Sequence, residues 1–174
     1  HLRQIPIVSL AMANSDSSPR LPSVGALEKL ESGVRDQFTG FGKFETLSHG
    51  DYIARQGTHH SAMSLVLDGK LKVLCNAHGD IVDLASLRPG DLVGEVSLID
   101  AHHSSADVIV DSDHADLWTI EKEAFDEFLE KDPVAGIQVL RVIAGELCHL
   151  LRLNSEKMLR EVETRKARFL DMDF

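Results

Sequence analysis

Short apolar runs separated by regularly spaced turn signals occupy the middle of the sequence, from Lys43 to Glu121. Six turn signals rich in Gly, Asp and Ser divide this stretch into runs of roughly five to eight residues, the length of ordinary strands. The strongest signal is Asp68-Gly69 within LVLDGKLKVL, which is typical of a two-residue hairpin turn. This spacing predicts about eight strands folded as a sandwich or closed roll, so we expect a mainly β chain.

Helical periodicity flanks the predicted strands on both sides. Ser23 is placed to cap a helix over residues 23–38, in which apolar residues recur at helical spacing. After the last strand a short helix would turn Phe125, Phe128 and Leu129 inwards, and Pro133 opens a second, much longer helix. We therefore expect an eight-stranded β-roll, jelly-roll-like, with an N-terminal helix and a long C-terminal helix.

The long C-terminal helix carries an apolar seam whose members alternate four and three positions apart, as in a coiled coil. About half of this helix would extend beyond the roll and have no core of its own. Such a stripe is buried most simply against a second copy of the chain, which favours a homodimer; the alternative is a helix folded back on its own barrel. The seam consists of Leu140, Ala144, Leu147, Leu151, Asn154 and Met158.

Charge and cysteine content restrict the possible partners. The 174 residues contain 18 Lys and Arg against 28 Asp and Glu, a formal net charge of -10, and DNA phosphates require clustered cations, so direct DNA binding is not expected. Only Cys75 and Cys148 are present, which argues against a disulfide framework and a structural zinc site and favours a reducing cytoplasm. No run of 18 apolar residues occurs, so no membrane span is expected.

The chain is expected to divide into three segments. Residues 1–22 would form an N-terminal arm and a Ser/Pro-rich linker. Residues 23–132 would form the roll with its flanking helices, and residues 133–174 the long helix that we expect to dimerise.

Three motifs occur in an order that can be compared with known proteins. FETLSHGDYIARQGT has the form of entry strands ending in Gln-Gly, LVLDGKLKVL that of a Gly-containing hairpin, and LRPGDLVGEVSLI that of a Pro-Gly-Asp turn followed by a Gly-Glu cassette. In this order, over Leu27 to Arg152, the chain resembles the cyclic nucleotide-binding domain family, which includes the regulatory half of the catabolite activator protein. The resemblance implies a regulatory domain whose ligand is a cyclic nucleotide or a cyclic dinucleotide.

The resemblance also implies which residues bind the ligand. In the family, backbone N–H groups at the start of a short helix bind the phosphate, a glutamate accepts the ribose 2′-hydroxyl, and an arginine pairs with the cyclic phosphate. A helix N-terminus offers free N–H donors and glycine allows close approach, so the chemistry agrees with these roles. The matching positions are Gly94, Glu95, Val96, Ser97, His103, Ser104 and Ser105.

The arginine of the family falls on Ser104, so the phosphate would lack its usual cation. A hydrogen bond to a charged group contributes about 1.5–3 kcal/mol, and its loss is expected to weaken a cyclic mononucleotide by roughly 10- to 150-fold. His102 or His103 could supply a charge only when protonated, so any such contribution is expected to fall as the pH rises. The alternative is an ordinary surface loop, with Glu95 capping its own helix.

The family also reads the purine from the long helix, and the resemblance implies Cys148, His149 and Arg152 as candidates to face the base. Their spacing places the three residues on one side of a helix. The simpler interpretation of each is structural, with Cys148 as a small core residue and Arg152 as a solvated one.

Other chemistries find less support in the sequence. The pairs His59-His60 and His102-His103 invite comparison with metal-binding rolls, but adjacent residues of one strand point to opposite faces, so we expect no metal site. No nucleophile elbow or P-loop occurs, so no enzymatic activity is expected. Two hypotheses remain: a stand-alone regulatory sensor that signals through the dimerising helix to an unidentified protein partner, and an interaction module that keeps the fold but has lost the ligand.

Overall fold

The computed structural model describes residues 19–77 and 79–170. Most of the predicted N-terminal arm and linker therefore lies outside the described residues. A 3-10 helix at Gly25–Lys29 precedes the α-helices, which are α1 (Ser32–Thr39), α2 (Glu95–Ile99), α3 (Lys122–Lys131) and α4 (Pro133–Leu170). The strands are β1 (Lys43–Ser48), β2 (Tyr52–Ala54), β3 (His59–His60), β4 (Ala62–Asp68), β5 (Leu71–Ala77), β6 (Asp80–Leu87), β7 (Leu92–Val93), β8 (His102–His103), β9 (Asp107–Val110) and β10 (His114–Glu121).

The strands form two four-stranded sheets and one small ladder, with antiparallel pairing throughout the described residues. The first sheet has the order β1-β10-β4-β7 and the second β2-β9-β5-β6, while β3 pairs with β8. This confirms the predicted β-roll with its flanking helices. The described residues contain ten strands rather than about eight. Three of them, β3, β7 and β8, have only two residues each and are too short to show an alternating pattern in a sequence.

The hairpin between β4 and β5 shows why its turn needs glycine. Gly69 has a φ of +87°, in the left-handed region. A Cβ atom at this position would lie 2.4 Å from the carbonyl oxygen of His114, so a side chain would also collide with β10. Turn geometry and close packing therefore both require the residue that the sequence supplies.

The prediction of one continuous helix over residues 23–38 was wrong. The segment is divided between the 3-10 helix and α1, with extended backbone at Leu30, and the first turn follows Val24 with no side-chain cap bond from Ser23. The extended Leu30 is buried in the same core as Val34 of α1. Burial of both side chains around the roll outweighs the weak local preference for one unbroken helix.

Strand β10 is buried on both faces and separates two hydrophobic cores. Ala115 and Leu117 face the interior of the roll, together with residues of both four-stranded sheets. Trp118 and Ile120 face the other way, into a helix–sheet core that they form with apolar residues of the helices. The same strand thus ties the roll to the helices.

Four aromatic rings form the centre of the helix–sheet core. Phe38 of α1 lies with its ring centroid 4.9 Å from that of Trp118 and 5.0 Å from that of Phe128. Phe125 packs edge-on to Phe38, and the indole N–H of Trp118 donates to the carbonyl oxygen of Thr39 at 3.2 Å. Burial of Phe125 and Phe128 confirms the predicted inward face of the helix that is now α3.

The long helix α4 begins at Pro133, as the sequence predicts. Its first turns are anchored by Ala135, Val139 and Ile143, which are buried in the helix–sheet core. From Cys148 to Thr164 every residue is exposed. About half of the helix therefore extends beyond the roll, in agreement with the expectation from the sequence.

The residues of the predicted seam divide between these two parts of α4. Leu140 and Leu147 are half-buried against the helix–sheet core of their own chain. The remaining four are exposed: Ala144, Leu151, Asn154 and Met158. The portion of the seam that is free for a second copy is therefore its C-terminal portion.

One helix in the described residues is long and apolar enough to cross a membrane by length and composition alone. It is the segment Pro133–Thr164, with a mean hydropathy of 1.5 over its most apolar window. The sequence has no uninterrupted run of 18 apolar residues, but small and apolar residues outnumber charges near the start of α4, so the mean hydropathy of this window is high. Core helices of soluble proteins meet the same criteria, and 28% of this window is buried in the protein.

Truncating the aromatic centre tests its contribution to stability. Phe38→Ala is expected to lower the free energy of unfolding by about 3–5 kcal/mol, because a cavity would remain between α1, β10 and α3. Urea denaturation followed by circular dichroism measures the change. Ile81→Ala, at a position 74% exposed on β6, is the control and should change the value by less than about 0.5 kcal/mol. Similar losses in the two variants would contradict the importance of the aromatic centre.

Candidate functional site

The Gly-Glu cassette begins with a glycine in a left-handed conformation. Gly94 has a φ of +83° and a ψ of 12° and stands at the N-terminus of α2. A Cβ atom there would lie 2.2 Å from the carbonyl oxygen of Ala62 and 3.1 Å from Nε2 of His60. Conformation and space both require glycine, which holds the cassette directly against the start of β4.

Helix α2 is short and is anchored by one side chain. Leu98 is fully buried in the helix–sheet core, and its N–H donates to the carbonyl oxygen of Gly94 at 3.0 Å. Val96 is exposed and Ser97 is half-buried. The predicted phosphate-binding residues Gly94 to Ser97 therefore lie together in one turn at the edge of the roll.

The glutamate of the cassette is buried beside the long helix. Only 7% of Glu95 is exposed, and this burial raises its pKa above the ordinary carboxyl value; its own backbone N–H opposes the shift and the negative charge of Glu146 adds to it. Glu146, on α4, accepts a hydrogen bond from Nζ of Lys29 at 2.9 Å. A buried carboxylate in this setting suits a hydroxyl donor, which satisfies an acceptor oxygen without adding charge.

The position of the family's arginine is a serine whose hydrogen bonds are made within the protein. Ser104 Oγ donates to the carbonyl oxygen of Ala106 at 2.7 Å. Its backbone N–H donates to the carbonyl oxygen of Thr58, and its carbonyl oxygen accepts from the N–H of Gly57, both at 2.8 Å. The segment is thus held against the loop after β2, and neither Ser104 nor the exposed Ser105 brings a charge.

A histidine that sequence reasoning did not assign lies against the cassette. His60 is half-buried with Nε2 close to Gly94, and burial lowers its pKa, although Glu121 and a backbone hydrogen bond at Ala62 oppose the shift. Its strand β3 pairs with β8, where His103, the predicted cassette residue, lies exposed. The two histidine pairs of the sequence therefore share one ladder, which only the pairing of distant segments reveals.

A polar cavity of about 240 Å³ opens next to His60, inside the end of the roll. The buried hydroxyls of Ser64 and Thr119 are 2.8 Å apart, and Thr119 donates to Oε1 of Glu45 at 2.6 Å. Sequence reasoning missed this cavity, because its polar residues occupy inward positions of strands that are otherwise apolar. The lining residues are Lys43, Glu45, Leu47, Tyr52, Ile53, His60, Ala62, Ser64, Thr119 and Glu121.

The candidates for reading the base lie just beyond the cassette on α4. The long helix passes the cassette at Glu146, whose charge acts on Glu95. Cys148, His149 and Arg152 follow within two turns and are all exposed. Cys148 is therefore not a core residue, and the structure leaves all three side chains accessible on the projecting part of the helix.

A separate group of potential metal ligands lies at the opposite end of β10. Atoms of Asp68, His114 and Asp116 come within 4.8 Å of one another. Nε2 of His114 is 3.5 Å from Oδ2 of Asp68, and Asp116 accepts a hydrogen bond from Oγ1 of Thr46 at 2.5 Å. These contacts account for the grouping as cross-strand polar pairs.

The family model for the cyclic nucleotide-binding domain matches residues 44–132, just over half of the chain. The chain belongs to the cyclic nucleotide-binding domain family. The matched range includes the whole cassette from Gly94 to Ser105, and it confirms the resemblance drawn from the motifs. Residues 44–132 therefore form a cyclic nucleotide-binding domain by family membership.

Named relatives include a much longer channel protein. The potassium/sodium hyperpolarization-activated cyclic nucleotide-gated channel 2 of Mus musculus is 30% identical over 92 residues, 53% of this chain. The match covers 10% of the channel, so this chain spans about a tenth of the relative's length.

Solved structures show the same fold at low identity. A cyclic nucleotide-binding domain from Methylobacillus flagellatus superposes with a TM-score of 0.71 at 19% identity, over 76% of this chain and 74% of the other. The catabolite activator protein of Thermus thermophilus superposes with a TM-score of 0.63 at 24% identity, over 81% of this chain and 62% of the other.

The buried glutamate generates a pH-dependent prediction. Because folding raises the pKa of Glu95, its ionisation costs stability as the pH rises from the ordinary carboxyl range through the folded-state pKa. Glu95→Gln removes this cost. The variant is therefore expected to be more stable relative to the wild type at about pH 7.5 than at about pH 4, which means that its free energy of unfolding minus that of the wild type is larger at the higher pH. Chemical denaturation at both pH values measures the difference.

Glu123→Gln is the matched control, because Glu123 also lies in the first turn of a helix but is exposed. Its stability relative to the wild type should not become more favourable with pH. A Glu95→Gln difference that stays constant or falls between the two pH values would contradict burial as the cause of the raised pKa.

Proposed function

We propose that this domain is a non-enzymatic regulatory module whose cassette binds a cyclic nucleotide or cyclic dinucleotide weakly. The observation that carries the proposal is the geometry of Gly94 and Glu95: a left-handed glycine pressed against β4, followed by a buried carboxylate at the start of α2. A carboxylate that is costly to bury is explained by a ligand hydroxyl that binds it.

Weak binding follows from the charges around the cassette. A cyclic phosphate would approach Glu95 and Glu146, which are both acidic, while Lys29 is already paired with Glu146. Ser104 offers no compensating charge, and its hydroxyl donates to Ala106. Without the bidentate contact that an arginine makes, the site retains the ribose interaction and loses most of the phosphate interaction.

We further propose that two copies associate through the projecting half of α4, in the cytoplasm. Leu151, Met158 and Val162 are exposed and lie seven and four positions apart, so they share one side of the helix. Charged residues follow throughout this half, which suits a coiled coil in water better than a helix in a bilayer. Up to Thr164 the charged residues are Arg152, Glu156, Lys157, Arg160, Glu161 and Glu163.

In this proposal the ligand acts through the long helix. Glu146 on α4 is close enough to the cassette for its negative charge to raise the pKa of Glu95, and the paired helices would pass a change of position to a protein partner outside the domain. No DNA contact is proposed, because the net charge is -10.

The second candidate function is an interaction module that has lost the ligand. The acidic surroundings of the cassette and the internally bonded Ser104 favour it. Among proteins of the same fold is one named as the regulatory subunit of a cAMP-independent protein kinase A from Trypanosoma brucei, with a TM-score of 0.56 at 24% identity. In such a module dimerisation and the acidic surface would be the function.

Restoring the missing cation separates the two candidates. Ser104→Arg is expected to strengthen cyclic mononucleotide binding by roughly 10- to 150-fold, because a charge-assisted contact contributes about 1.5–3 kcal/mol. Isothermal titration calorimetry with cyclic mononucleotides and cyclic dinucleotides measures the affinities of the variant and the wild type.

Ser105→Arg adds the same charge at the neighbouring, exposed position and should give a much smaller gain. Similar gains in the two variants would show attraction by charge alone. No binding by the wild type and no gain in Ser104→Arg would favour the interaction module.

Charge on the projecting half of α4 tests the dimer. The double variant Leu151→Glu, Met158→Glu is expected to be monomeric, because four carboxylates would face one another across a parallel pair. Sedimentation equilibrium measures the mass. Leu153→Glu places a charge about 160° away around the helix from Leu151 and is the control that should leave the mass unchanged. A wild-type protein that is already monomeric would contradict the proposed dimer.

A further inference from the structure

Two pairs of adjacent histidines, which are far apart in the sequence, meet on one two-stranded ladder. Strands β3 and β8 pair with each other and with no other described strand. The register places His59 opposite His103 and His60 opposite His102. Directly opposite residues share a face, and adjacent residues of one strand point to opposite faces. The ladder therefore carries one histidine pair on each face.

The pair His59 and His103 occupies the position where side chains come closest. The N–H of Ser104 donates to the carbonyl oxygen of Thr58 at 2.8 Å, so Thr58 and Ser104 make one of the two bonds of a hydrogen-bonded position, while the N–H of Thr58 donates to the carbonyl oxygen of Arg55. Hydrogen-bonded and non-hydrogen-bonded positions alternate along an antiparallel ladder. The next pair, His59 and His103, is therefore non-hydrogen-bonded, where opposing Cα atoms are about 4.5 Å apart.

The imidazole rings of this pair are free to bind. Both residues are exposed, and neither ring has a hydrogen-bond or ion-pair partner among residues 19–77 and 79–170. The pair on the other face is engaged instead. His60 is half-buried against Gly94, and Nδ1 of His102 lies 3.1 Å from the carbonyl oxygen of Ala101.

We infer that His59 and His103 form a chelating site for one divalent transition-metal ion, such as Cu²⁺, Ni²⁺ or Zn²⁺. Imidazole nitrogen is a preferred ligand of these ions, and backbone pairing already fixes the separation of the two Cα atoms, so binding has to order only the side chains. Water completes the coordination. Mg²⁺ and Ca²⁺ require oxygen ligands and are not expected to bind here.

A bound ion would act on the neighbouring cassette segment. It would link the strand that follows Thr58 to the strand that precedes Ser104, and so fasten the loop after β2 to the segment where the family has its arginine. It would also place two positive charges one residue away from that position. The expectation from the sequence that no metal site exists considered histidines on one strand, whereas the site is formed across two.

Calorimetric titration of the full chain with Ni²⁺ tests the inference. The wild type is expected to bind one ion at this site. His59→Asn and His103→Asn should each lower the affinity at least tenfold, which is about 1.4 kcal/mol, because each removes one of two ligands. Mg²⁺ should give no binding heat. Circular dichroism and the melting temperature without metal establish that the variants are folded.

His102→Asn is the matched control, because it removes a histidine from the same ladder but from the opposite face. It should retain the wild-type affinity. The inference is overturned if the wild type binds no Ni²⁺, if His59→Asn and His103→Asn bind as the wild type does, or if His102→Asn loses as much affinity as they do. Electron paramagnetic resonance of the Cu²⁺ complex provides a second readout, with coupling to two imidazole nitrogens expected in the wild type and to one in His103→Asn.

Discussion

The burial of β10 on both faces is the constraint on which the remaining structure depends. Trp118 and Ile120 must be covered by helices, while Ala115 and Leu117 close the interior of the roll. A strand that is apolar on both sides cannot lie at a surface, so helices α1, α3 and the start of α4 have to pack on the same side of the sheet. The position of the long helix relative to the cassette follows from this requirement, because α4 is anchored in the core that Trp118 shares.

The cassette combines a sterically defined backbone geometry with mainly negative charge. Gly94 has a left-handed conformation and Glu95 is buried, while Glu146 adds a negative charge nearby and Ser104 brings no positive charge. These two features are physically separable. The close packing of the cassette backbone against β4 is possible only because Gly94 has no side chain. Anion affinity depends instead on side chains that can change without altering the fold.

Features determined by local chemistry could be read from the sequence. Asp68-Gly69 specifies a turn through its left-handed glycine, Pro133 marks a helix start, and the inward faces of Phe125 and Phe128 follow from helical spacing. The family resemblance added the cassette, whose ligand contacts stay predictions. The break at Leu30 could not be predicted, because it depends on burial against the roll rather than on local preference.

Contacts between distant segments were also beyond reach of the sequence. His60 lies against Gly94 through the pairing of β3 with β8, and Glu146 affects Glu95 because α4 crosses the cassette. Neither relationship has a signal in spacing or composition. Both arise from the order in which the strands assemble, which is determined by the whole core.

The unequal anchoring of α4 makes this helix a lever arm. Up to Thr164 the last deeply buried residue is Ile143, and 27 residues of helix follow it, ending at Leu170, a length of about 40 Å. A tilt of about 10° at the anchored end would displace the far end by about 7 Å, a distance larger than one helical turn. Sub-ångström adjustments at the cassette, where Glu146 lies, would therefore be magnified geometrically without any rearrangement of the roll.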